Sequence, residues 1–138
     1  MADRTLLMVK PDGTARNVTG EILRRLEEAG FRLVAIRALR LRKEQAEGFY
    51  EVHRGKPFFD DLVRYMTSGM VVPMALKKEG AVRGLREFIG ATDPSQAAEG
   101  SIRRDFGESL QRNTVHASDA PETAEREIAF FFPEEELL

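Results

Sequence analysis

The reactive side chains available to this chain are few, because its 138 residues include no cysteine and only two histidines. One of these, His116, stands shortly before a run that predicts the start of a helix. In that run Asp119 has the character of an N-cap, and Glu122 follows it at the spacing of a capping box. The unpaired N–H groups at a helix N-terminus attract anions. His116 is therefore a candidate nucleophile in a site for phosphate.

The predicted helix after Asp119 carries one carboxylate on its apolar side. At about 100° per residue, Glu127 falls beside a stripe made by Ala120, Ala124, Ile128 and Phe131. A carboxylate on a buried face costs several kcal/mol unless it is hydrogen-bonded. Two interpretations stay open: a structural salt bridge, or a group that orients the imidazole of His116. The second requires the chain before the helix to fold back.

Further polar candidates lie at strand ends and on helix faces. Lys10 follows a β-prone run, residues 5–9, and begins a predicted turn, Lys10-Pro-Asp-Gly; alone, it would be a solvated lysine. Tyr50 and His53 share one face of a helix predicted over residues 43–53. They are either core side chains with satisfied hydrogen bonds or neighbouring groups of a site.

Two residues deviate from the apolar stripes of their helices. Phe58 lies off the stripe of the helix that starts near it, so its exposed ring can stack on a base or form a rim contact. Arg86 lies at the edge of the stripe in a helix predicted over residues 80–89. An arginine in that place needs a carboxylate or a phosphate partner, and both alternatives stay open.

Composition limits the function classes. A net charge of -2 and a pI near 5.8 argue against a dedicated nucleic-acid binder. The absence of cysteine excludes disulfides, thiol catalysis and cysteine-ligated zinc. The first residues, Met-Ala-Asp-Arg-Thr, lack the apolar core of a signal peptide, and no apolar run has the length of a membrane span. We expect a cytoplasmic protein with one domain over residues 1–138.

The predicted elements follow the order β-α-β-α-α-β-α-loop-β-α. Residues 31–41 alternate as a strand, Pro73 suggests an edge or a bulge in the strand over residues 70–76, and residues 113–116 form a short last strand. The stretch from Gly90 to Arg112 lacks periodicity and predicts a long functional loop. This order favours an α+β fold, a ferredoxin-like antiparallel β-sheet covered by helices.

Elimination leaves phosphoryl transfer. The chain lacks both G-x-x-x-x-G-K-[ST] and G-x-G-x-x-G, which weakens the case for a phosphate loop or a dinucleotide site. Ser118 and His116 imply no distant acidic partner for a hydrolase triad, and two histidines make a weak zinc site. A histidine among lysine, arginines, Thr, Asn and Tyr suits a reaction governed by positioning and charge stabilisation.

Several separated motifs, in order, resemble those of the nucleoside diphosphate kinase family over essentially the whole chain. They are Thr5-Leu-Leu-Met-Val-Lys-Pro-Asp-Gly13, Tyr50-x-x-His53 with Lys56-Pro-Phe-Phe59, Gly90-x-Thr92-x-Pro94, Gly100-Ser-Ile-Arg103-x-Asp105-Phe106 and Asn113-x-x-His116-x-Ser118-Asp119. The resemblance implies that His116 takes the γ-phosphate of a nucleoside triphosphate as a phosphohistidine and passes it to a nucleoside diphosphate. It also implies that Ser118 and Glu127 support the imidazole.

The resemblance further implies the binding groups. Phosphates and ribose would be bound by Lys10, Tyr50, His53, Arg86, Thr92, Arg103 and Asn113, and Phe58 would stack on the base of ribo- or deoxyribonucleotides. Mg²⁺ would be bound through the nucleotide's phosphates, with no protein ligand, in a homo-oligomer, hexamer or tetramer. Ala117, where glycine is usual, and Phe49, where histidine is common, depart from the family pattern. The alternatives are a non-catalytic nucleotide-sensing ferredoxin-like module and, less favoured, a structural interaction protein.

Overall fold

One antiparallel sheet with strand order β2-β3-β1-β4 forms the centre of the computed structural model, which describes residues 3–138. The first two residues of the predicted domain lie outside the described residues. The strands are β1 (Asp3–Val9), β2 (Arg32–Ile36), β3 (Val72–Lys78) and β4 (Val115–Ala117). The helices are α1 (Pro11–Ala15), α2 (Thr19–Glu28), α3 (Lys43–Phe49), α4 (Phe59–Met66), α5 (Ala81–Ile89), α6 (Ile102–Phe106) and α7 (Pro121–Phe131). The predicted ferredoxin-like α+β fold is confirmed.

The two inner strands position the site. β1 pairs with β3 along its whole length, from Asp3↔Lys78 to Val9↔Val72. The short strand β4 pairs with the C-terminal part of β1, and Met8 lies opposite His116. Because successive side chains of a strand point to opposite faces, β1 contributes to two cores. Leu6 and Met8 pack with α3, α4 and α7, whereas Leu7 and Val9 pack with α2 and α5.

The strand predicted over residues 31–41 is shorter in the structure. β2 ends at Ile36, and Leu39 forms only an isolated bridge with Val71. The pairing register of β2 with β3 shifts between Leu33 and Ala35. A bulge interrupts the alternation of side chains, so Leu33 packs with one core and Ala35 with the other. Regular alternation over residues 31–41 predicts that Leu33 and Ala35 share one face, and this prediction is wrong because of the bulge.

Pro73 lies in β3, which is an inner strand, so the predicted edge position is wrong, and the register shift lies in β2 instead. The carbonyl of Pro73 accepts a hydrogen bond from Arg37 N at 3.2 Å. Since N and C=O of one strand residue point to the same side, the missing N–H also faces β2. That position lies beyond the last ladder pair, Ile36↔Met74, where proline interrupts no ladder bond.

Several element ends differ from the predictions. Helix α3 stops at Phe49, and a 3₁₀ helix, Glu51–His53, replaces its predicted last turn. The turn predicted at Lys10 is followed by the short helix α1, which Pro11 begins with its fixed φ. The predicted long loop contains a 3₁₀ helix, Pro94–Gln96, and helix α6. Among residues 3–138, the structure contains no helix with the length and apolarity that a membrane span requires.

Candidate active site

The centre of the site is a contact between β4 and α7. Nε2 of His116 lies 3.0 Å from Oε1 of Glu127, and Ser118 Oγ donates to the same oxygen at 2.6 Å. Burial works to raise the pKa of Glu127, but the hydrogen bond and charge of His116, with help from Ser118, outweigh it and lower the pKa. Glu127 is therefore a buried carboxylate that remains ionised. The predicted contact of Glu127 with the imidazole is present.

The start of α7 differs from the prediction. The N-cap is Ala120, not Asp119, and Pro121 occupies the first helical position. Thr123 Oγ1 accepts a hydrogen bond from Ala120 N at 3.0 Å and lies 2.8 Å from Asp119 Oδ1. The Thr123 hydrogen bond, opposed by partial burial, lowers the pKa of Asp119. Asp119 thus places a carboxylate at the margin of the site and does not cap the helix.

A chain of hydrogen bonds fixes Lys10 at the end of β1. Its Nζ donates to Asn113 Oδ1 at 2.8 Å, and Asn113 Nδ2 donates to the carbonyl of Thr92 at 2.9 Å. Burial and the charge of Arg103 lower the pKa of Lys10 to about 8, against the opposing effect of the Asp12 charge. The three predicted residues from separate parts of the chain therefore form one connected group.

Two arginines supply further positive charge. Arg103, which is 5% exposed, donates to the carbonyls of Gly90 and Val115 at 3.2 and 2.9 Å. Its Nε is buried and has no acceptor among the described residues. Burial and the charge of Arg86 lower the pKa of Arg103 to about 10. Arg86 itself donates to the carbonyl of Ala117 at 3.1 Å, so its structural partner is a backbone oxygen.

The aromatic residues line the opposite side. Tyr50 and His116 meet edge to face with ring centroids 5.9 Å apart, and the buried Tyr50 hydroxyl has no partner within residues 3–138. Burial, the charge of Glu127 and the proximity of Tyr65 raise the pKa of Tyr50. His53 stacks on Tyr50 at 6.2 Å, and burial and the nearby Lys56 charge lower its pKa. Phe58 is 46% exposed.

These groups surround one cavity of about 670 Å³. Every predicted site residue lines it except Ser118, which is fully buried behind Glu127. The sequence reasoning missed several lining residues, among them Val52, Leu110, Gln111, Asp119, Thr123 and Arg126. In the sequence Leu110 is an isolated apolar residue in a polar stretch, and this pattern could have marked it as a site residue. In the structure its side chain is exposed. Helical periodicity places Arg126 away from the apolar stripe of α7, but periodicity does not give the rotation of the helix relative to the cavity.

The two departures from the family pattern fit the structure. Ala117 lies in β4 opposite Leu7, in a strand, where a side chain meets no backbone restriction. Phe49 packs edge-on against His116 with centroids 5.2 Å apart and also contacts Tyr50 at 4.9 Å. A ring at this position limits the movement of the imidazole. A larger cavity of about 1420 Å³, between α5 and α7, shares Arg86 and Asp119 but not His116 or Lys10, so size does not identify the site.

A ferredoxin-like sheet with a carboxylate-held histidine facing lysine and two arginines defines a phosphotransferase. The family model described as nucleoside diphosphate kinase matches residues 3–137. This chain belongs to the nucleoside diphosphate kinase family. Family membership supports the catalytic interpretation and not the nucleotide-sensing alternative.

Individual relatives agree over nearly the full length. A nucleoside diphosphate kinase of Salinibacter ruber is 52% identical over 99% of this chain and 96% of its own, and one of Halorhodospira halophila is 55% identical over 98% and 96%. A solved nucleoside diphosphate kinase of Aquifex aeolicus superposes with a TM-score of 0.98 at 43% identity, covering both chains completely. One of Halobacterium salinarum in complex with CDP gives 0.96 at 44% identity over 100% and 92%.

Proposed function

We propose that this protein, as one domain over residues 1–138, transfers the γ-phosphate of a nucleoside triphosphate to a nucleoside diphosphate through a phosphohistidine at His116. The observation that carries the proposal is the contact of His116 with Glu127 inside a cavity lined by Lys10, Arg86 and Arg103. An oriented imidazole is a nucleophile, and the cations stabilise the charge of the transferred group.

The nitrogen that reacts follows from the hydrogen bond. Because the ionised carboxylate of Glu127 can only accept a hydrogen bond, we assign the proton of the contact to Nε2 and the lone pair to Nδ1. Nδ1 forms a bond with the γ-phosphorus while the bond from phosphorus to the β–γ bridging oxygen breaks. That oxygen leaves with the nucleoside diphosphate. In the second step the terminal oxygen of another diphosphate attacks the phosphohistidine, and the nitrogen regains its lone pair.

The proposed nucleotide-binding residues are of three chemical kinds: cations, hydrogen-bond donors and apolar side chains. Lys10, Arg86 and Arg103 bind phosphate oxygens as cations, and Tyr50, His53, Thr92 and Asn113 donate further hydrogen bonds to phosphate or ribose. The Tyr50 hydroxyl and Arg103 Nε, which lack protein partners in the described chain, gain acceptors from the ligand. Phe58 and Leu110 present exposed apolar surface to the base. Stacking is tolerant of base identity, so nucleotides of all bases serve as substrates. That both ribo- and deoxyribonucleotides are accepted is a further part of the proposal.

Mg²⁺ would be bound through the nucleotide's phosphates, with no protein ligand. The donor set supports this, because the described residues contain no group of three His, Asp or Glu side chains suited to a metal. Of the two carboxylates in the cavity, Glu127 is held by His116 and Ser118, and Asp119 by Thr123. When bound there, the ion would neutralise charge that develops on the phosphates.

Assembly and location complete the proposal. The protein forms a homo-oligomer, a hexamer or a tetramer, in the cytoplasm. The unpaired outer edge of β2 and its exposed residue Ile36, at 43%, support association of copies. The net charge of -2 agrees with nucleotides rather than nucleic acid as partners. Sedimentation equilibrium distinguishes six subunits from four, and a monomer would contradict this part.

The two-step mechanism has a direct test. The protein is incubated with γ-labelled nucleoside triphosphate alone and then isolated. We expect bound label that is lost in acid, survives in base and moves to added nucleoside diphosphate. His116→Ala should carry no label, whereas His53→Ala, which retains the nucleophile, should still be labelled. Transfer that requires both nucleotides together, without labelled protein at any time, would contradict the proposal.

A further inference from the structure

A buried carboxylate lies behind the cavity, outside its lining residues. Asp12 in α1 is 5% exposed. Its carboxylate accepts hydrogen bonds from the Tyr65 hydroxyl and, at 3.3 Å, from Thr114 Oγ1. The backbone N–H of Asp12 donates to Tyr65 Oη at 3.0 Å. Three elements, α1, α4 and the segment before β4, therefore meet at this one side chain.

The segment before β4 makes a strained turn at this point. Thr114 has a φ of 74°, which is rare for a β-branched residue, and Val115 N donates to Asn113 O at 2.9 Å. Such a conformation persists only where its surroundings hold it. Here the Thr114 hydroxyl is bonded to Asp12, and its carbonyl accepts from Lys10 N at 2.8 Å.

Close packing of α1 contributes to the same constraint. A Cβ added at Gly13 would lie 2.7 Å from Val9 Cγ1 and 3.0 Å from Thr114 Cγ2. Helix α1 is thus pressed directly against the strained turn. In this position the turn orients Asn113 so that its Oδ1 accepts a hydrogen bond from Lys10 Nζ at 2.8 Å.

Asp12 also has an electrostatic effect on Lys10. Its negative charge favours the Lys10 ammonium, whereas burial and the charge of Arg103 disfavour it. The other titratable and charged groups around the same cavity are Tyr50 and His53 beside α3, Arg86 of α5, His116 of β4, Asp119 before α7, and Arg126 and Glu127 of α7.

We propose that Asp12, with Tyr65 and Thr114, is a positioning residue of this site. It holds the strained turn against α1 and keeps a negative charge behind Lys10, so that Lys10 stays charged and paired with Asn113. The kinetic consequence rests on the proposed function, because only there does Lys10 bind the transferred phosphate. The electrostatic coupling between Asp12 and Lys10 does not depend on the proposed function.

The coupling is measured without reference to activity. The protein is labelled with ¹³Cε-lysine, the Lys10 resonance is assigned by its loss in Lys10→Arg, and its titration midpoint is followed by NMR. We expect Asp12→Asn to lower the midpoint by on the order of 0.5 pH unit, because it removes the charge that favours the ammonium. Asp61→Asn, which removes an exposed carboxylate paired with Arg64, should leave the midpoint unchanged.

Kinetics test the positioning role. Tyr65→Phe keeps the ring but loses the hydroxyl, and Thr114→Val keeps the shape but loses the hydroxyl. We expect each to lower kcat/KM by on the order of tenfold, because each removes a hydrogen bond to a charged group. Thr114→Ser should restore the wild-type value. Thr67→Val, which removes a hydroxyl bonded only to carbonyls at the end of α4, is the matched control.

The outcomes are distinct. An unchanged Lys10 midpoint in Asp12→Asn would overturn the electrostatic coupling. A lower melting temperature in Tyr65→Phe and Thr114→Val with unchanged kcat/KM would show a merely structural role and overturn the positioning. If Asp12→Asn does not fold, the Tyr65 and Thr114 variants decide the proposal. Absence of label on His116 in the wild-type protein would reject the two-step transfer, but the NMR titration would still be interpretable.

Discussion

Glu127 Oε1 lies 3.0 Å from Nε2 of His116 and accepts the Ser118 hydroxyl at the same time. One oxygen therefore fixes both the tautomer and the direction of the imidazole. The carboxylate is almost fully buried, at 6% exposure, and its pKa is lowered despite burial. The carboxylate that pairs with the histidine when the ring gains positive charge is therefore in place before a ligand binds.

We predict that Glu127→Gln lowers kcat by on the order of 10²-fold, because the amide keeps the shape but removes the charge that supports the imidazole. The rate of His116 phosphorylation by nucleoside triphosphate measures the effect. Glu125→Gln, on the exposed side of the same helix, should behave like wild type. A normal rate in Glu127→Gln together with a large loss of thermal stability would identify a structural salt bridge instead.

Phe58→Ala should weaken binding of all nucleotides by a similar amount, about 1–3 kcal/mol, because stacking does not depend on the identity of the base. KM values for a set of purine and pyrimidine diphosphates report the change. Met70→Ala, which removes a side chain with equal exposure of 46% outside the cavity, is the control. The stacking role fails if the loss is confined to one base or if the protein unfolds.

Arg86→Ala should reduce activity far more than stability. The protein partner of Arg86 is one backbone carbonyl at 3.1 Å, and in the proposed function a ligand phosphate would be the stronger partner. Turnover and melting temperature are compared with those of Arg83→Ala on the same helix, whose side chain is 91% exposed and pairs with Glu87. Exposed pairs contribute only about 0–1 kcal/mol. A large fall in melting temperature with normal turnover would contradict the prediction.

Lys10 should make stability and activity respond oppositely to alkaline pH. Its pKa is about 8 in the folded chain against an ordinary value of 10.5, so between these values the unfolded chain binds more protons. The free energy of unfolding therefore rises with pH from about 8 towards 10, by up to about 3 kcal/mol in full, while loss of the ammonium lowers activity.

Denaturant unfolding at pH values from 7 to about 10 measures this slope. Above that range Tyr50 and Tyr65, whose pKa values are raised by burial, contribute with the opposite sign. Lys10→Met should remove the rise. If the free energy of unfolding of the wild type were as independent of pH as that of Lys10→Met, Lys10 would have the same pKa in the folded and unfolded chain, and the prediction would be wrong.

Periodicity predicted the elements whose sides are clearly buried or exposed. The apolar runs predict β1 and β3, and the apolar stripe predicts α5, because each pattern agrees with one period. Periodicity did not predict the bulge in β2 or the early end of α3, because strand register and helix ends depend on tertiary contacts.

Motifs predicted a set of site residues, and the structure places all of them except Ser118 around one cavity. Sequence could not predict how they are held. The contact of Glu127 with His116 depends on how α7 returns across the sheet, and the strained turn at Thr114 depends on the hydrogen bond that Thr114 Oγ1 donates to Asp12 of α1. Neither contact is visible as a local sequence pattern, because each joins different elements of the fold.

The separation of Lys10 and Asn113 by 103 positions, although their side chains bond at 2.8 Å, bears on the biosynthesis of the protein. Chains emerge from the ribosome N-terminus first. A chain that ends after α5 contains Lys10 but lacks both His116 on β4 and Glu127 on α7. Synthesis must therefore reach α7 before Lys10, His116 and Glu127 can come together around one cavity.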